Sequence, residues 1–218
     1  MITGMLAYFA DGANWVGPEG IATRLAEHLW YSLLAVCIAA LIAFPIGLVV
    51  GHTGRGRLVV VTLSNVLRAL PSLGIMTLMV LLLGLGLIAP MLALVLIAIP
   101  PILAGVYAGI ANVDPDTVDA ARAMGMKESR IIIQVETPIA LPLILGGLRA
   151  AVLQVVATAA IAAYVNLGGL GRYIFDGLAL YDYARVLVGA VLVTALALAL
   201  DGLLALGVKR VTPRGLRG

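Results

Sequence analysis

The chain has 218 residues, of which 62% are apolar and only 11% are charged, and its formal net charge at pH 7 is +3. Soluble globular domains are about 45–50% apolar and about 25% charged. The composition therefore excludes an ordinary soluble enzyme and a disordered chain, and it places most of the surface in lipid. The single cysteine excludes an internal disulfide, two separated histidines offer little for a metal centre, and the small net charge does not suggest nucleic acid.

Uncharged runs, in chain order, predict five membrane-spanning helices, because about 20 helical residues cross about 30 Å of hydrocarbon. The run 69–113 is about twice too long for one crossing. Gly84, Gly86 and Pro90 interrupt it, so it is interpreted as two spans with a helical lead-in at 57–67. The predicted spans are 29–50, 66–84, 90–110, 143–164 and 186–207. The predicted fold class is all-α, a polytopic inner-membrane bundle.

The distribution of basic residues predicts the orientation of the bundle. With the N-terminus outside and the C-terminus in the cytoplasm, nine Lys or Arg residues lie in cytoplasmic segments and three lie outside. This is the positive-inside pattern. We therefore expect an external N-terminal segment at 1–24, a membrane domain at 25–208 and a basic cytoplasmic tail at 209–218. The external segment lacks the positive start of a signal peptide.

One long polar segment, 112–142, interrupts the apolar pattern. Asp114 is placed to cap a helix with Pro115 at its first position, and Gly125 is placed to end it in a left-handed conformation. A second short helix is predicted at about 127–136, ended by Thr137 and Pro138. A plain connector needs only a few residues. The segment is therefore interpreted as an interaction surface on the inner side of the membrane.

The same segment carries a family motif. Asp119-Ala120-Ala121, then Gly125, then Ile139-Ala140-Leu141-Pro142, resembles the EAA motif of permease subunits of binding-protein-dependent ABC importers, with Asp in place of the usual Glu. Two further segments, 65–72 and 168–171, resemble the smaller, five-span members of that superfamily. The last third of the chain resembles the osmoprotectant branch, which imports glycine betaine, choline, carnitine or proline betaine. The resemblance covers about residues 25–218.

The resemblance implies that solute transport and ATP hydrolysis are carried out by different chains. The helix at 115–124 would dock into a groove on a separate ATPase, because this sequence has no GxxxxGK[ST] motif for nucleotide. The ATPase-coupling residues would be Asp119, Ala120, Ala121, Gly125, Ile139, Leu141 and Pro142. No cofactor is expected on this chain, and ATP and Mg²⁺ would bind to the partner. The implied partners are ATPase subunits, a second permease chain in a homodimer or heterodimer, an external solute-binding protein and the lipid bilayer of a bacterial inner membrane.

Three residues are candidates for the pathway or its gate: Arg68, Pro71 and Ser72. Arg68 either extends toward the interface or faces the pathway, and the sequence leaves both open. Arg149 and Asp201, near the inner ends of the fourth and fifth spans, favour a structural ion pair or snorkelling over contact with the solute. Small residues four apart in the first span favour packing within the chain.

The external loop at 164–185 is rich in Gly and Tyr, and its candidate residues are Gly168, Gly169, Gly171 and Tyr173. An aromatic belt or a docking surface is favoured over a cage for a quaternary ammonium group.

The leading functional hypothesis is a non-catalytic permease subunit of an ATP-driven importer for compatible solutes. An importer for an amino acid such as methionine is the alternative within the superfamily. An ATP-independent carrier or channel is the alternative of another class, but those often show internal repeats or midplane charges, and neither is found here. An intramembrane enzyme is disfavoured, because no nucleophile, base and orienting group cluster in the sequence.

Overall fold

The computed structural model describes residues 1–211, and that part of the chain is helical with no β-strand. The helices are α1 (Ile2–Ala10), α2 (Ile21–Thr53), α3 (Arg57–Ala69), α4 (Ser72–Leu83), α5 (Ile88–Ala111), α6 (Pro115–Ala123), α7 (Glu128–Ile131), α8 (Thr137–Ala162), α9 (Gly171–Ala179) and α10 (Tyr183–Val211). Short 3₁₀ turns occupy Gly12–Trp15 and Ala163–Val165. Most of the predicted basic tail, residues 212–218, lies outside the described residues. The predicted all-α class is confirmed.

Four helical segments are long and apolar enough to cross a membrane: Ile21–Thr53, Ile88–Ala111, Glu128–Val165 and Tyr183–Lys209. The predicted span 66–84 differs from these. Its residues belong to α3 and α4, which meet at 93°, and α4 alone has 12 residues. Twelve helical residues rise only about 18 Å, which is less than the hydrocarbon thickness. The bundle thus has four spans, or five if the bent pair forms one, and both the fifth span and the orientation stay predictions.

The bend between α3 and α4 follows from proline chemistry. Leu70 precedes Pro71 and has an extended backbone, with φ −72° and ψ 132°. The proline ring disfavours the helical conformation in the residue before it, so the helix must end there. The turn predicted at Gly84 and Gly86 is present, because both have positive φ and lie between α4 and α5.

The helix break predicted at Thr137 and Pro138 is wrong. A π-helical turn, Ile132–Glu136, joins α7 to α8, and the helix continues through the proline. A wider turn moves the preceding carbonyl groups away from the proline ring, which removes the clash that would end an α-helix. The Thr137 hydroxyl also donates to the Ile132 carbonyl at 2.7 Å. The polar segment is consequently shorter than expected, and α8 begins inside it.

The core lies where α2, α5 and α8 meet. The small residues of α2 face α5, since a Cβ added to Gly47 would lie 2.7 Å from the Val106 Cβ. On the other side of α5, a Cβ on Gly105 would lie 2.7 Å from the Gly147 Cα in α8. These glycines let three backbones approach closely, as small residues do in membrane helix pairs. The packing within the chain that the small-residue spacing favours is therefore observed.

Candidate functional sites

Helix α6 follows the C-terminus of α5 as a capped unit, on the side of the bundle that the basic residues predict to be cytoplasmic and that is called the inner side here. The Asp114 carboxylate accepts a hydrogen bond from the Asp116 backbone N–H at 3.0 Å, and Pro115 occupies the first helical position. Gly125 has φ +81°, the left-handed conformation expected after a helix end. The local structure predicted for this segment is therefore present.

Helix α6 is anchored on one side and open on the other. Val118 and Ala121 are buried against Val113 and Ile131, in a small apolar cluster separate from the main core. The opposite side exposes Asp119, Ala120 and Met124. Among the predicted coupling residues, Ala121 thus packs inward, whereas Asp119 and Ala120 are exposed on the surface of the chain.

The second half of the motif lies elsewhere. Ile139, Leu141 and Pro142 belong to the first turns of α8, with Ile139 exposed and the other two half-buried. They lie beyond the π-helical turn that follows the α6 cluster. The motif therefore divides between an exposed helix and the inner end of a membrane helix.

A chain of charged side chains connects α6 to the membrane helices. Arg122 donates to Asp119 at 2.8 Å and to Glu128 at 2.8 Å. These two acceptors, Glu128 first and then Asp119, raise the pKa of the Arg122 guanidinium. His52, at the inner end of α2, lies with Nε2 2.8 Å from a Glu128 carboxylate oxygen and with Nδ1 2.7 Å from a Glu136 oxygen. One continuous network of polar side-chain contacts thus links α6 to α2 and to the start of α8.

The two ends of this network differ in exposure. The His52 and Glu136 side chains are 7% and 5% exposed, whereas Glu128 is 54% exposed. A buried carboxylate is costly unless it is paired and hydrogen-bonded, and His52 provides that pairing for Glu136. No group of His, Cys, Asp and Glu side chains within residues 1–211 is arranged to hold a metal ion.

Sequence reasoning missed His52, Glu128 and Glu136. The ring of His52 and the Glu136 carboxylate are 84 positions apart, so no local spacing indicates their contact. The available signal was Glu136 itself, because an acid beside an apolar stripe at a membrane helix start requires a basic partner.

The external loop is closed by tight backbone contacts. Gly168 and Gly169 have φ +81° and +75°, and a Cβ on Gly169 would lie 3.1 Å from His28 Nδ1. A Cβ on Gly171 would collide with the Ala160 carbonyl oxygen. The glycines predicted for this loop are thus required by conformation and by close approach.

The loop is fastened to α2 by two adjacent side chains. The Gly169 N–H donates to a Glu27 carboxylate oxygen at 2.9 Å, and the Leu170 N–H donates to His28 Nδ1 at 3.3 Å. His28 Nε2 lies 3.0 Å from the Val156 carbonyl oxygen, so the ring donates there and is neutral. His28 is 1% exposed and joins α2, α8 and the loop. Sequence reasoning missed both Glu27 and His28.

Tyr173 is a buried structural residue. Its hydroxyl donates to the Glu19 carbonyl at 2.7 Å, burial raises the pKa of the phenol, and its ring lies under the Arg185 guanidinium at 5.7 Å. A cation of the chain itself therefore occupies the ring face that a quaternary ammonium group would need.

The three pathway candidates surround the bend between α3 and α4. Arg68 donates to the Pro100 carbonyl of α5 at 3.4 Å and borders a small cavity of about 210 Å³. Pro71 makes the bend, and Ser72 begins α4. Arg68 is thereby tied to the proline-containing part of α5.

Arg149 and Asp201 form a two-point ion pair between α8 and α10, at 2.5 and 2.7 Å. The pair lies in an open groove of about 760 Å³, which is otherwise lined by small and aliphatic residues such as Ala150, Leu153 and Ala197. The structural ion pair that the sequence favours is therefore observed.

Comparison with known proteins identifies the family. Residues 35–213 match the family model described as binding-protein-dependent transport system inner membrane component. The chain is 36% identical to a glycine betaine/carnitine/choline transport system permease protein of Bacillus subtilis, over 89% of this chain and 90% of the relative. It is 35% identical to a carnitine transport permease protein of Listeria monocytogenes, over 88% of each chain.

The fold has a solved counterpart. The inward-facing MetNI methionine ABC transporter superposes with a TM-score of 0.80, over 88% of this chain and 96% of that chain, at 22% identity. At that identity the likeness concerns the fold alone. The family match and the relatives together establish that this chain belongs to the inner membrane components of binding-protein-dependent transport systems, as a multi-pass permease of the bacterial inner membrane.

Proposed function

We propose that this chain is the permease subunit of an ATP-driven importer for osmoprotectants of the quaternary-ammonium class, such as glycine betaine, carnitine and choline. In this proposal a separate ATPase docks on α6, a second permease chain completes the pathway, and an external binding protein delivers the solute. ATP and Mg²⁺ bind to the ATPase.

The observation that carries the proposal is the exposed face of α6. Asp119 and Ala120 are exposed on a capped helix, and the Asp119 carboxylate pairs with Arg122 of the same helix. The chain has no nucleotide-binding motif of its own, so energy from ATP must arrive through contact with another protein. The choice of solute rests on the relatives, whose names specify glycine betaine, carnitine or choline.

The groove between α8 and α10 supports the need for a second permease chain. Its walls are apolar and open, and their single charged pair is internally compensated. Such a surface holds no strong site for a zwitterion, which suits a pathway that binds the solute weakly while the external protein selects it. In the proposed dimer this groove faces the partner and the pathway.

Reconstituted vesicles test the proposal. Labelled glycine betaine should accumulate only when this chain, its ATPase, the binding protein and ATP are all present. Accumulation driven by an ion gradient with this chain alone would refute the importer. Accumulation of methionine or another amino acid without betaine would retain the importer and overturn the solute class.

Asp119→Lys tests the docking face separately. It places a second cation beside Arg122 and removes the carboxylate from the exposed surface. We expect recovery of the ATPase with the purified permease to fall, while membrane insertion is unchanged. Normal ATPase recovery and normal uptake with this variant would exclude α6 as the docking element.

A further inference from the structure

His52 has an environment that neither α6 alone nor the family assignment explains. It is the residue before Thr53, the last residue of α2. Its ring nitrogens lie 2.7 and 2.8 Å from carboxylate oxygens. Ionised carboxylates only accept hydrogen bonds. When both carboxylates are ionised, an imidazole bridges them by donating from both ring nitrogens, which only the doubly protonated ring can do.

One cation shares a partner with the His52 ring, since Arg122 Nη2 donates at 3.2 Å to the Glu128 oxygen that lies 2.8 Å from His52 Nε2. A small cavity of about 200 Å³ beside His52 is lined by Ile110 and Ala111 of α5 and by Val118, Asp119 and Arg122 of α6. Helix α5 contributes no titratable side chain to that cavity, and the Arg122 guanidinium is engaged by Asp119 and Glu128. The titratable groups facing His52 directly are thus Glu128 and Glu136.

The two carboxylates belong to parts of the chain with different tasks. Glu128 begins α7 and is held by Arg122 of the exposed helix α6. Glu136 ends the π-helical turn that leads into membrane helix α8, and it is 4% exposed. A single cation between them therefore connects α6, α2 and α8 at one point.

We propose that His52 is a positioning residue for energy coupling, and that its imidazolium, held between Glu128 and Glu136, makes α6 move together with the inner ends of α2 and α8. This proposal rests on the proposed function, since it assumes that an ATPase acts on α6. Without the cation, α6 keeps its cap and its apolar cluster but loses its firm connection to the spans. ATP hydrolysis then continues with less solute moved per ATP.

The complete transporter in vesicles tests this proposal, with solute import and ATP hydrolysis measured on the same preparation. His52→Gln replaces two N–H donors by an amide whose oxygen repels one carboxylate. We expect the solute imported per ATP to fall about tenfold, within the usual range of coupling free energies. The concentration of loaded binding protein that gives half-maximal transport should stay unchanged.

A rescue variant separates charge from shape. In the double variant His52→Gln with Glu136→Gln, the amide introduced at position 52 can donate to Glu128 and accept from the amide introduced at position 136. The import per ATP should therefore recover above that of either single variant.

Glu128→Gln is a second test that perturbs folding little, because Glu128 is half exposed. It should lower import per ATP in the same direction as His52→Gln.

Each outcome has one meaning. Equal losses of import and ATP hydrolysis in His52→Gln and in Glu128→Gln would overturn the role of His52. A double variant that imports no more solute per ATP than His52→Gln or Glu136→Gln alone would also overturn it. If His52→Gln is not recovered from membranes, an unchanged ratio in Glu128→Gln overturns the role. Absence of ATP-driven uptake by the unmodified transporter would instead contradict the proposed function.

Discussion

The two histidines of the chain lie near opposite ends of α2, and each joins that helix to α8 in a different way. His28, at the outer end, contacts backbone groups of Val156 and Leu170 and is neutral. His52, at the inner end, has a carboxylate oxygen beside each ring nitrogen, and one of those carboxylates is bound to α6 through Arg122. Backbone partners cannot change rotamer or charge, whereas carboxylate partners can do both. The contact made by His28, called the outer joint, is therefore fixed by the fold. The contact made by His52, called the inner joint, depends on a side-chain charge.

Gly171→Ala should have the largest effect on the outer joint. The added methyl group would collide with the Ala160 carbonyl, a backbone atom that moves only if α8 moves. We expect little folded protein in detergent, judged by size-exclusion chromatography after membrane extraction. The matched control is Gly202→Ala in α10, where a Cβ meets nothing within 4 Å, and its yield should equal that of the unmodified chain.

Gly125→Val should abolish uptake while leaving the bundle intact. The residue has φ +81°, which a β-branched side chain resists, although its Cβ would meet nothing within 4 Å. The effect is thus conformational and confined to the end of α6. Gly125→Asn is the matched control, because Asn tolerates the left-handed conformation, and it should retain most of the uptake. Equal uptake by both variants would mean that the shape of this turn is irrelevant to coupling.

His28→Leu should lower stability without uncoupling transport. It leaves the buried Leu170 N–H without its partner, at a cost of about 1–3 kcal/mol, and it removes a second hydrogen bond from the Val156 carbonyl, which lies inside α8. Thermal unfolding in detergent should show a lower midpoint, while the solute imported per ATP by the surviving protein is unchanged. Trp30→Leu, an exposed site on the same helix, is the control. A reduced import per ATP in His28→Leu would remove the distinction between the two joints.

Cysteine labelling tests whether the two joints face opposite sides of the membrane, with the smallest disturbance of the protein. In a Cys37→Ala background, Gly12→Cys should react only with external reagent, and Met124→Cys only after the cytoplasmic side is opened. A Cβ at Gly12 meets nothing within 4 Å, and Met124 is 76% exposed. Reaction of both cysteines from the same side would contradict the orientation predicted from the basic residues.

The sequence was informative where the physics is local. Uncharged runs marked the long helices, Asp114 and Gly125 marked the ends of α6, and Gly84 and Gly86 marked a turn. The helix break predicted at Pro138 was wrong, because a π-helical turn accommodates a residue that has no backbone N–H. No local sequence pattern indicates such a turn. The predicted span 66–84 contains a 93° bend, because the constraint before Pro71 ends α3 at Ala69, and its membrane crossing stays a prediction.

Both histidine joints escaped prediction for a shared reason. The contacts of His28 with Val156 and Leu170 cross 128 and 142 positions, and that of His52 with Glu136 crosses 84. Such contacts depend on the packing of α2 against α8, which follows from the small residues of the core rather than from any motif. The family motif located α6 and part of α8, but the connection between them is made by residues outside the motif.

Distances measured by pulsed electron paramagnetic resonance in the complete transporter test the central claim most directly. In a Cys37→Ala background, one spin-label pair at Val49 and Met124 spans the inner joint, and another at Trp30 and Leu178 spans the outer joint; all four positions are exposed. Our account predicts narrow distance distributions for both pairs in the unmodified chain. His52→Gln should broaden only the inner distribution, and His28→Leu only the outer one. An inner distribution that stays narrow in His52→Gln would contradict the claim that this imidazolium fixes α6 to the membrane helices.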